Sequence, residues 1–303
     1  MENLKKLNYG VLGGGYSNER NISLKSAEAV NNALNEEGYK SKIIDVDNKK
    51  TLFSKDSYKN FDFIFVLIHG LGGEDGELQN FFEEIRLSYS GSSSKACKKS
   101  FDKKTAKTFL SENILTPEQF LWNSFEEKIE FNTHQVKRLV VKPTKEGSSL
   151  GVSIIENKPD LIKMAIEKAS KYGEFMIEEF IEGSEITVAR VGNENFPPVQ
   201  IIPENQFYDF QAKYNSFNTK YVKADYSRER QSELDQLITQ INVDFNCKAW
   251  SRVDLIDDGE NFYFLELNTV PGMTNSSLVP KAAKFAGIDF NKLVIQIIKS
   301  SLD

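Results

Sequence analysis

Cysteine is scarce in this 303-residue chain, and the two present, Cys97 and Cys247, stand alone. They have no metal-ligand spacing and form no framework of pairs, so a disulfide-stapled scaffold is excluded. Both read as small buried hydrophobes. Long apolar runs are missing too: none approaches the ~20 residues that span a bilayer. The opening Met-Glu-Asn-Leu-Lys-Lys-Leu-Asn lacks the apolar region and small-residue cleavage site of a signal peptide. Excess positive charge is absent: 38 Lys and Arg against 44 Asp and Glu give a net charge of −6. That balance argues against a phosphate-neutralising nucleic-acid binder. There are no internal repeats and no low-complexity tracts. The expectation is a cytoplasmic protein with neither nucleic acid nor membrane as partner. What is present is ordinary for a globular protein, with 40% hydrophobic and 27% charged residues in a length suited to two or three domains.

The most informative stretch lies near the end, where Arg252-Val-Asp254-Leu-Ile and Phe-Leu-Glu266-Leu-Asn268 flank an Asp-Asp-Gly-Glu turn. The segment reads as a hairpin. Arg252 and Asp254 share one face of its first strand, and Glu266 and Asn268 share one face of its second. Val253, Leu255, Leu265 and Leu267 are expected on the core face. Two carboxylates and an amide are oxygen ligands of the kind that bind Mg²⁺ together with substrate phosphates. Asp258-Gly259 ordinarily signals a two-residue turn, which would put Asp254 and Glu266 on opposite faces. A shared metal site therefore predicts a different loop length or a bulge.

The first third alternates strand and helix. Tyr9–Leu12 runs into Gly13-Gly14-Gly15. A helix with Leu24, Ala27, Val30 and Leu34 follows and stops at Gly38. Tyr39–Val46 is a strand. The apolar run Phe61–Ile68 reads as a strand buried on both faces of a parallel sheet, ending in the glycine-rich His69 loop. Ligands collect at such strand ends. The glycine turn is not a G-x-G-x-x-G fingerprint and, taken alone, reads rather as a tight strand-to-helix turn. Glu19, just after it, is placed to pair with a substrate amine.

Further on, Lys142 closes the strand Arg138–Lys142 and precedes the small-residue loop Gly147-Ser148-Ser149-Leu150-Gly151. Such a loop lets backbone N–H groups approach phosphates. Lys103, beside the candidate N-cap Asp102, is a second cation. In the strand Glu174–Ile181, the backbone of Glu179 and Ile181 is a candidate to read an adenine edge, with Glu185 accepting from a ribose, although alone the segment reads as a strand and its turn. A strand runs over Glu185–Val191, and a tail helix surrounds Leu293–Ile298. Asn205 to Gln231 is aromatic and polar without period, the mark of a lid or of disorder.

Taken together, the segments GGGYSNER, HGLGGEDG, VVKPTKEGSSLG, MIEEFIEGSEITV, FYDFQAKY, SRVDLI, FLELNTVPGMT and NSSLVP resemble the D-alanine–D-alanine ligase family of the ATP-grasp superfamily. The resemblance covers essentially the whole chain. It implies an α/β (α+β) ATP-grasp fold: a Rossmann-like α/β domain over 1–91, then two α+β subdomains, 92–181 and 182–303, that clasp ATP. It also implies a homodimer using ATP, D-alanine and two Mg²⁺ (or Mn²⁺). By position, Asp254, Glu266 and Asn268 would bind the metals, and Lys103 and Lys142 the phosphates under the Ser148-Ser149 flap. Glu178, Glu179, Ile181 and Glu185 would hold the nucleoside. Glu19 would bind the first D-alanine's ammonium, with His69 near its carboxylate. Ser148 and Tyr214 would complete a hydrogen-bonded set with Glu19. Lys213 and Ser277 would bind the second carboxylate, and Arg252 and the Gly272 N–H the tetrahedral oxyanion. Four positions depart from the common pattern: Asn21, Phe180, Ser251 and Val270. A ligase taking D-lactate or D-serine second, a non-catalytic nucleotide binder, and a nicotinamide oxidoreductase reading of the glycine turn remain as alternatives.

Overall fold

Burial on both faces makes β1 (Asn8–Gly14) and β3 (Phe63–Val66) the centre of the first sheet, since almost every side chain in them is apolar and enclosed. In the computed structural model, which describes residues 3–123, 128–129, 136–203 and 219–303, they lie between β2 (Lys40–Val46) and β4 (Ser88–Tyr89). All pairings in this sheet are parallel. β2 is an edge strand, and most of its side chains meet solvent. Helix α1 (Arg20–Glu36) covers the sheet with Ala27, Val30, Ala33 and Leu34. A Cβ on Gly13 would stand 2.7 Å from that of Ala27, so glycine there serves close strand–helix packing. Short α2 (Lys49–Leu52) and α3 (Glu77–Ile85) complete this unit.

Helices α4 (Ser94–Phe101) and α5 (Lys103–Ala106) lead to a second, antiparallel sheet. Asp102 caps α5 by accepting the Thr105 N–H. The sheet contains β5 (Gln119–Phe120), β8 (Arg138–Pro143), β9 (Ser153–Glu156) and β10 (Phe175–Glu179), in the order β5-β10-β8-β9. A ribbon of β6 (Trp122–Asn123) and β7 (Lys128–Ile129) stands beside it in sequence. Helix α6 (Pro159–Ser170) was not expected from the sequence. It starts on a favourable first-turn proline and buries Ile162, Ala165 and Ala169 against the sheet.

The third sheet runs β14-β13-β11-β15-β16, from β11 (Ser184–Val191), β13 (Val199–Ile202), β14 (Lys220–Lys223), β15 (Trp250–Asp257) and β16 (Phe262–Asn268), with β12 (Glu194–Asn195) on β11. Helices α7 (Arg228–Phe245), α8 (Leu278–Phe285) and α9 (Phe290–Leu302) pack on it. The stretch expected to lack period over 205–231 in fact contains β14 and the first turn of α7, and 204–218 lie outside the described residues.

The predicted hairpin is present, and its register carries the bulge that a shared site demands. Near the turn, Asp257 opposes Phe262 and Leu255 opposes Phe264; beyond a shift, Asp254 opposes Glu266 and Arg252 opposes Asn268. The extra residue is Leu265. One side chain therefore moves from its expected place: Leu265 lines a cleft with Glu266, and Phe264 takes the core position. The bulge reverses parity at this point, which residue alternation alone does not reveal.

Candidate active site

The second and third sheets face one another across a cavity of about 830 Å³. Lys142 and Glu178 reach it from one side; Glu185, Asp254, Leu265 and Glu266 reach it from the other. The Gly147–Gly151 loop borders it. Ser148 and Ser149 both hold left-handed backbone, with φ of 54° and 59°, a conformation that costs energy in L-residues.

Asp254 is almost fully buried and densely bonded. Arg252 donates from Nε to Asp254 Oδ1 at 2.8 Å and from Nη2 to Oδ2 at 2.7 Å. Thr187 Oγ1 donates to Oδ1 at 2.6 Å, and Asn268 Nδ2 to Oδ2 at 3.3 Å. Glu266 meets Lys103, whose Nζ lies 3.0 Å from Oε2 and also donates to the Glu146 carbonyl at 2.7 Å. Burial alone would lower the Lys103 pKa, but Glu266, with Glu74 and Glu19 beyond it, holds that pKa above the usual lysine value. Asp254, Glu266 and Asn268 thus offer an oxygen-only donor set. Among the described residues no three acidic, histidine or cysteine side chains converge as a closed metal cage. The set fits Mg²⁺ or Mn²⁺ only with phosphate oxygens supplying further ligands.

Glu178 lies between two lysines: Oε2 is 2.5 Å from Lys142 Nζ, and Oε1 accepts from Lys107 Nζ. Burial opposes its ionisation, yet the two ammoniums, Lys142 foremost, hold its pKa below the ordinary carboxylate range. Lys107 escaped the sequence reading. Its signal is the four-residue spacing from Lys103, which puts both on one side of a helical turn. The Glu179 N–H is taken by the Glu118 carbonyl at 2.9 Å, so it is not free to read a base. Among the described residues the Ile181 N–H has no partner, leaving it as the available donor of the pair.

At the far end of the cleft, Ser148 Oγ donates to Glu19 Oε1, tying the loop to the first unit. His69 Nδ1 stands 3.0 Å from the Val270 carbonyl, an acceptor only, which puts the proton on Nδ1. Nε2 is buried without a partner among the described residues. Burial disfavours the charged His69 ring, but Glu74, 3.6 Å away, with Glu19 and the Val270 carbonyl, raises its pKa. Ser277 stands at the N-terminus of α8, and its Oγ is directed away from the helix, accepting the Thr274 N–H at 3.0 Å. A Cβ on Gly272 would come within 2.8 Å of Ser277 Oγ, so the chain there is held against that hydroxyl.

Residues 113–299 match the family described as "D-ala D-ala ligase C-terminus". The chain belongs to the D-alanine–D-alanine ligase family. A D-alanine–D-alanine ligase from Actinobacillus succinogenes is 37% identical over the full length of both chains. One from Vesicomyosocius okutanii is 39% identical over 95% of this chain and 98% of its own. Among solved structures, the D-alanine–D-alanine ligase from Bacillus anthracis superposes with a TM-score of 0.85 at 32% identity, covering 98% of this chain and 97% of that one. A D-Ala:D-Ser ligase from Enterococcus faecalis gives 0.81 at 26% identity, with 97% and 99% covered. The expected ATP-grasp fold is thereby established.

Within this ligase-family framework, three of the four unusual positions are accommodated by their neighbours. Ser251 donates to Asn242 Oδ1 at 2.5 Å in the core. Phe180 carries the Arg138 guanidinium 4.0 Å over its ring. Val270 serves His69 through its backbone carbonyl, for which side-chain identity is immaterial. Lys213 and Tyr214 lie outside the described residues, as does the whole FYDFQAKY segment. A second groove, about 720 Å³ and lined by Tyr226 and polar residues of α7, shares no lining residue with the cleft. No described helix is long and apolar enough to cross a membrane.

Proposed function

We propose that the chain joins two D-alanines into D-alanyl-D-alanine at the expense of ATP, releasing ADP and phosphate, as a homodimer in the cytoplasm. One observation carries this reading: the bulge at Leu265 sets Asp254 and Glu266 face to face across the hairpin, beside Lys103 and within one cleft with Lys142. An oxygen-ligand face opposite two ammoniums is suited to a polyphosphate. Family membership supplies the substrates, because the relatives' names state a ligase for D-alanine.

In this reading Lys103, Lys142 and the Ser148-Ser149 loop hold the phosphates, and Glu178, the Glu179 carbonyl, the Ile181 N–H and Glu185 hold the nucleoside. Asp254, Glu266 and Asn268 would hold two Mg²⁺ or Mn²⁺, which when bound would offset phosphate charge. Glu19 binds the first ammonium, with His69 near the first carboxylate. That carboxylate attacks the γ-phosphorus, giving an acylphosphate and ADP, since a bare carboxylate is too poor an electrophile for an amine. Lys213 and Ser277 receive the second carboxylate. The second amine adds to the acyl carbon, Arg252 and the Gly272 N–H stabilise the oxyanion, and phosphate leaves. Closure by Ser148 and Tyr214 over the site keeps water from the acylphosphate.

Phosphate release from ATP, with D-alanine, D-serine and D-lactate each offered, tests the assignment. Release with D-alanine alone, yielding the dipeptide, is the expected result. Release that requires D-serine as second substrate would move the chain toward the D-Ala:D-Ser neighbour's specificity, and release that requires D-lactate would make it a depsipeptide ligase. ATP binding with no turnover on any of them would leave only a nucleotide-binding protein.

A further inference from the structure

Lys107 has no place in the proposed chemistry, yet it is among the most enclosed cations of the described residues. Its side chain is 4% exposed, and its partner Glu178 is 1% exposed. Glu178 divides its two oxygens: Oε1 takes Lys107 and Oε2 takes Lys142. Only one of these lysines faces the cavity. Lys142 and Glu178 line it, whereas Lys107 does not and approaches the carboxylate from behind. The triad thus holds one negative and two positive charges, and the surplus positive charge lies on the side where a nucleotide's phosphates would lie. We propose that Lys107 is a positioning residue: it compensates Glu178 permanently, so that Lys142 can leave Glu178 for a phosphate without stranding a buried carboxylate.

The argument is one of charge. A buried carboxylate that loses its only partner is strongly unfavourable. If Lys142 were that only partner, every nucleotide would have to outbid Glu178 for it. With Lys107 in place the exchange leaves an ion pair intact, and Lys142 passes from one anion to another. The charged groups facing the Lys107 ammonium are Glu178 on β10 and Lys142 on β8. Burial, opposed by Glu178 and reinforced by Lys142, pushes its pKa down to about 8. In the free protein Lys107 is therefore charged below that pH and loses its proton as pH rises through it. Glu178 then depends on Lys142 alone, and nucleotide affinity falls.

This inference rests on the nucleotide reading of the cleft, so the experiment separates the two. Calorimetric titration with Mg²⁺–ATP, without D-alanine, is carried out from pH 7.5 to 9.5 on the wild type, Lys107→Met and Lys107→Arg. The wild-type Kd should rise with pH above about 8, by at most roughly tenfold per unit for one linked proton. Lys107→Met should bind about tenfold or more weakly at pH 7.5 and lose the alkaline slope. In turnover it should raise KM for ATP while kcat at saturating ATP stays within about threefold. Lys107→Arg, charged throughout, should bind well and show no slope. Wild-type affinity in Lys107→Met would overturn the proposal, and so would an unchanged alkaline loss in Lys107→Arg. Should the methionine variant fail to fold, the arginine profile decides alone. A wild type that neither binds ATP nor releases phosphate with D-alanine would instead refute the ligase reading.

Discussion

Asp254 and Glu266 share one face, but their charges are balanced in different ways, and this decides which substitution is informative. Asp254 accepts both prongs of the Arg252 guanidinium, the Thr187 hydroxyl and the Asn268 amide. Replacing it would take a bidentate charge partner from a guanidinium only 15% exposed, mixing a stability loss with any functional one. Glu266 is more open, at 23% exposure, and it pairs with Lys103 at 3.0 Å. Glu266→Gln keeps the shape and removes the charge. Phosphate release at saturating Mg²⁺ should fall by about a hundredfold or more, equivalent to roughly 3 kcal/mol of transition-state stabilisation. The melting temperature should stay within about 3 °C of wild type, the shift that ~1 kcal/mol gives a chain of this size. Near-normal turnover would remove Glu266 from the metal set.

At the level of elements, the Leu265 bulge shows where the sequence is legible and where it is not. The apolar run at Phe63–Val66, the α1 stripe Ala27, Val30 and Leu34, and the parity of Arg252 with Asp254 are local patterns, and each identifies its element directly. The bulge is different. Nothing in Phe264-Leu265-Glu266 marks it locally, because it follows from two chemical demands meeting on one hairpin: a short turn and opposed carboxylates. Helix α7 was missed for another reason. Its buried residues Leu234, Ile238, Ile241 and Phe245 are embedded in a long run of polar side chains. Lys107 was missed because its meaning lies in a partner 71 residues away. The bulge also places an apolar side chain on the cleft wall, level with Ile256. Leu265→Ala should therefore weaken nucleotide binding while sparing the chemistry. Its KM for ATP should rise roughly tenfold, the effect of about 1–3 kcal/mol of apolar contact, with kcat nearly unchanged. Initial rates at saturating D-alanine measure this, and an unaltered KM would mean that Leu265 does not touch the nucleotide.

On the scale of the whole molecule, the site draws on residues from every part of the chain: Glu19 and His69 beside the first sheet, Lys142 in the second and Ser148 in the loop joining its strands, Asp254 and Glu266 in the third. A site so composed needs its parts held in register, and the packing indicates how. The first and third sheets are joined by one apolar core, in which Tyr9, Val11, Phe63 and Phe65 meet Trp250, Met273, Leu293 and Ile297. Phe65 and Trp250 lie 6.0 Å apart between ring centroids, and the Met273 N–H donates to Ser26 on α1. The second sheet has a core of its own with α6, built from Leu139, Val141, Ile162, Ala165 and Ile177. The first and third sheets should therefore open together and the second separately. Ile297, on α9 and fully buried in the shared core, tests this. Ile297→Ala should cost about 2–5 kcal/mol through lost contacts and a residual cavity. Hydrogen exchange, followed peptide by peptide, should accelerate in β1, β3 and β15 alike, because opening free energies follow cooperative units. Peptides from β8, β10 and α6 should keep their protection. If acceleration stays within β15 and α9 while β1 and β3 exchange as before, the two sheets are separate cooperative units. In that case the docking that brings Glu19 to Ser148 must depend on the Ser148 loop rather than on the core.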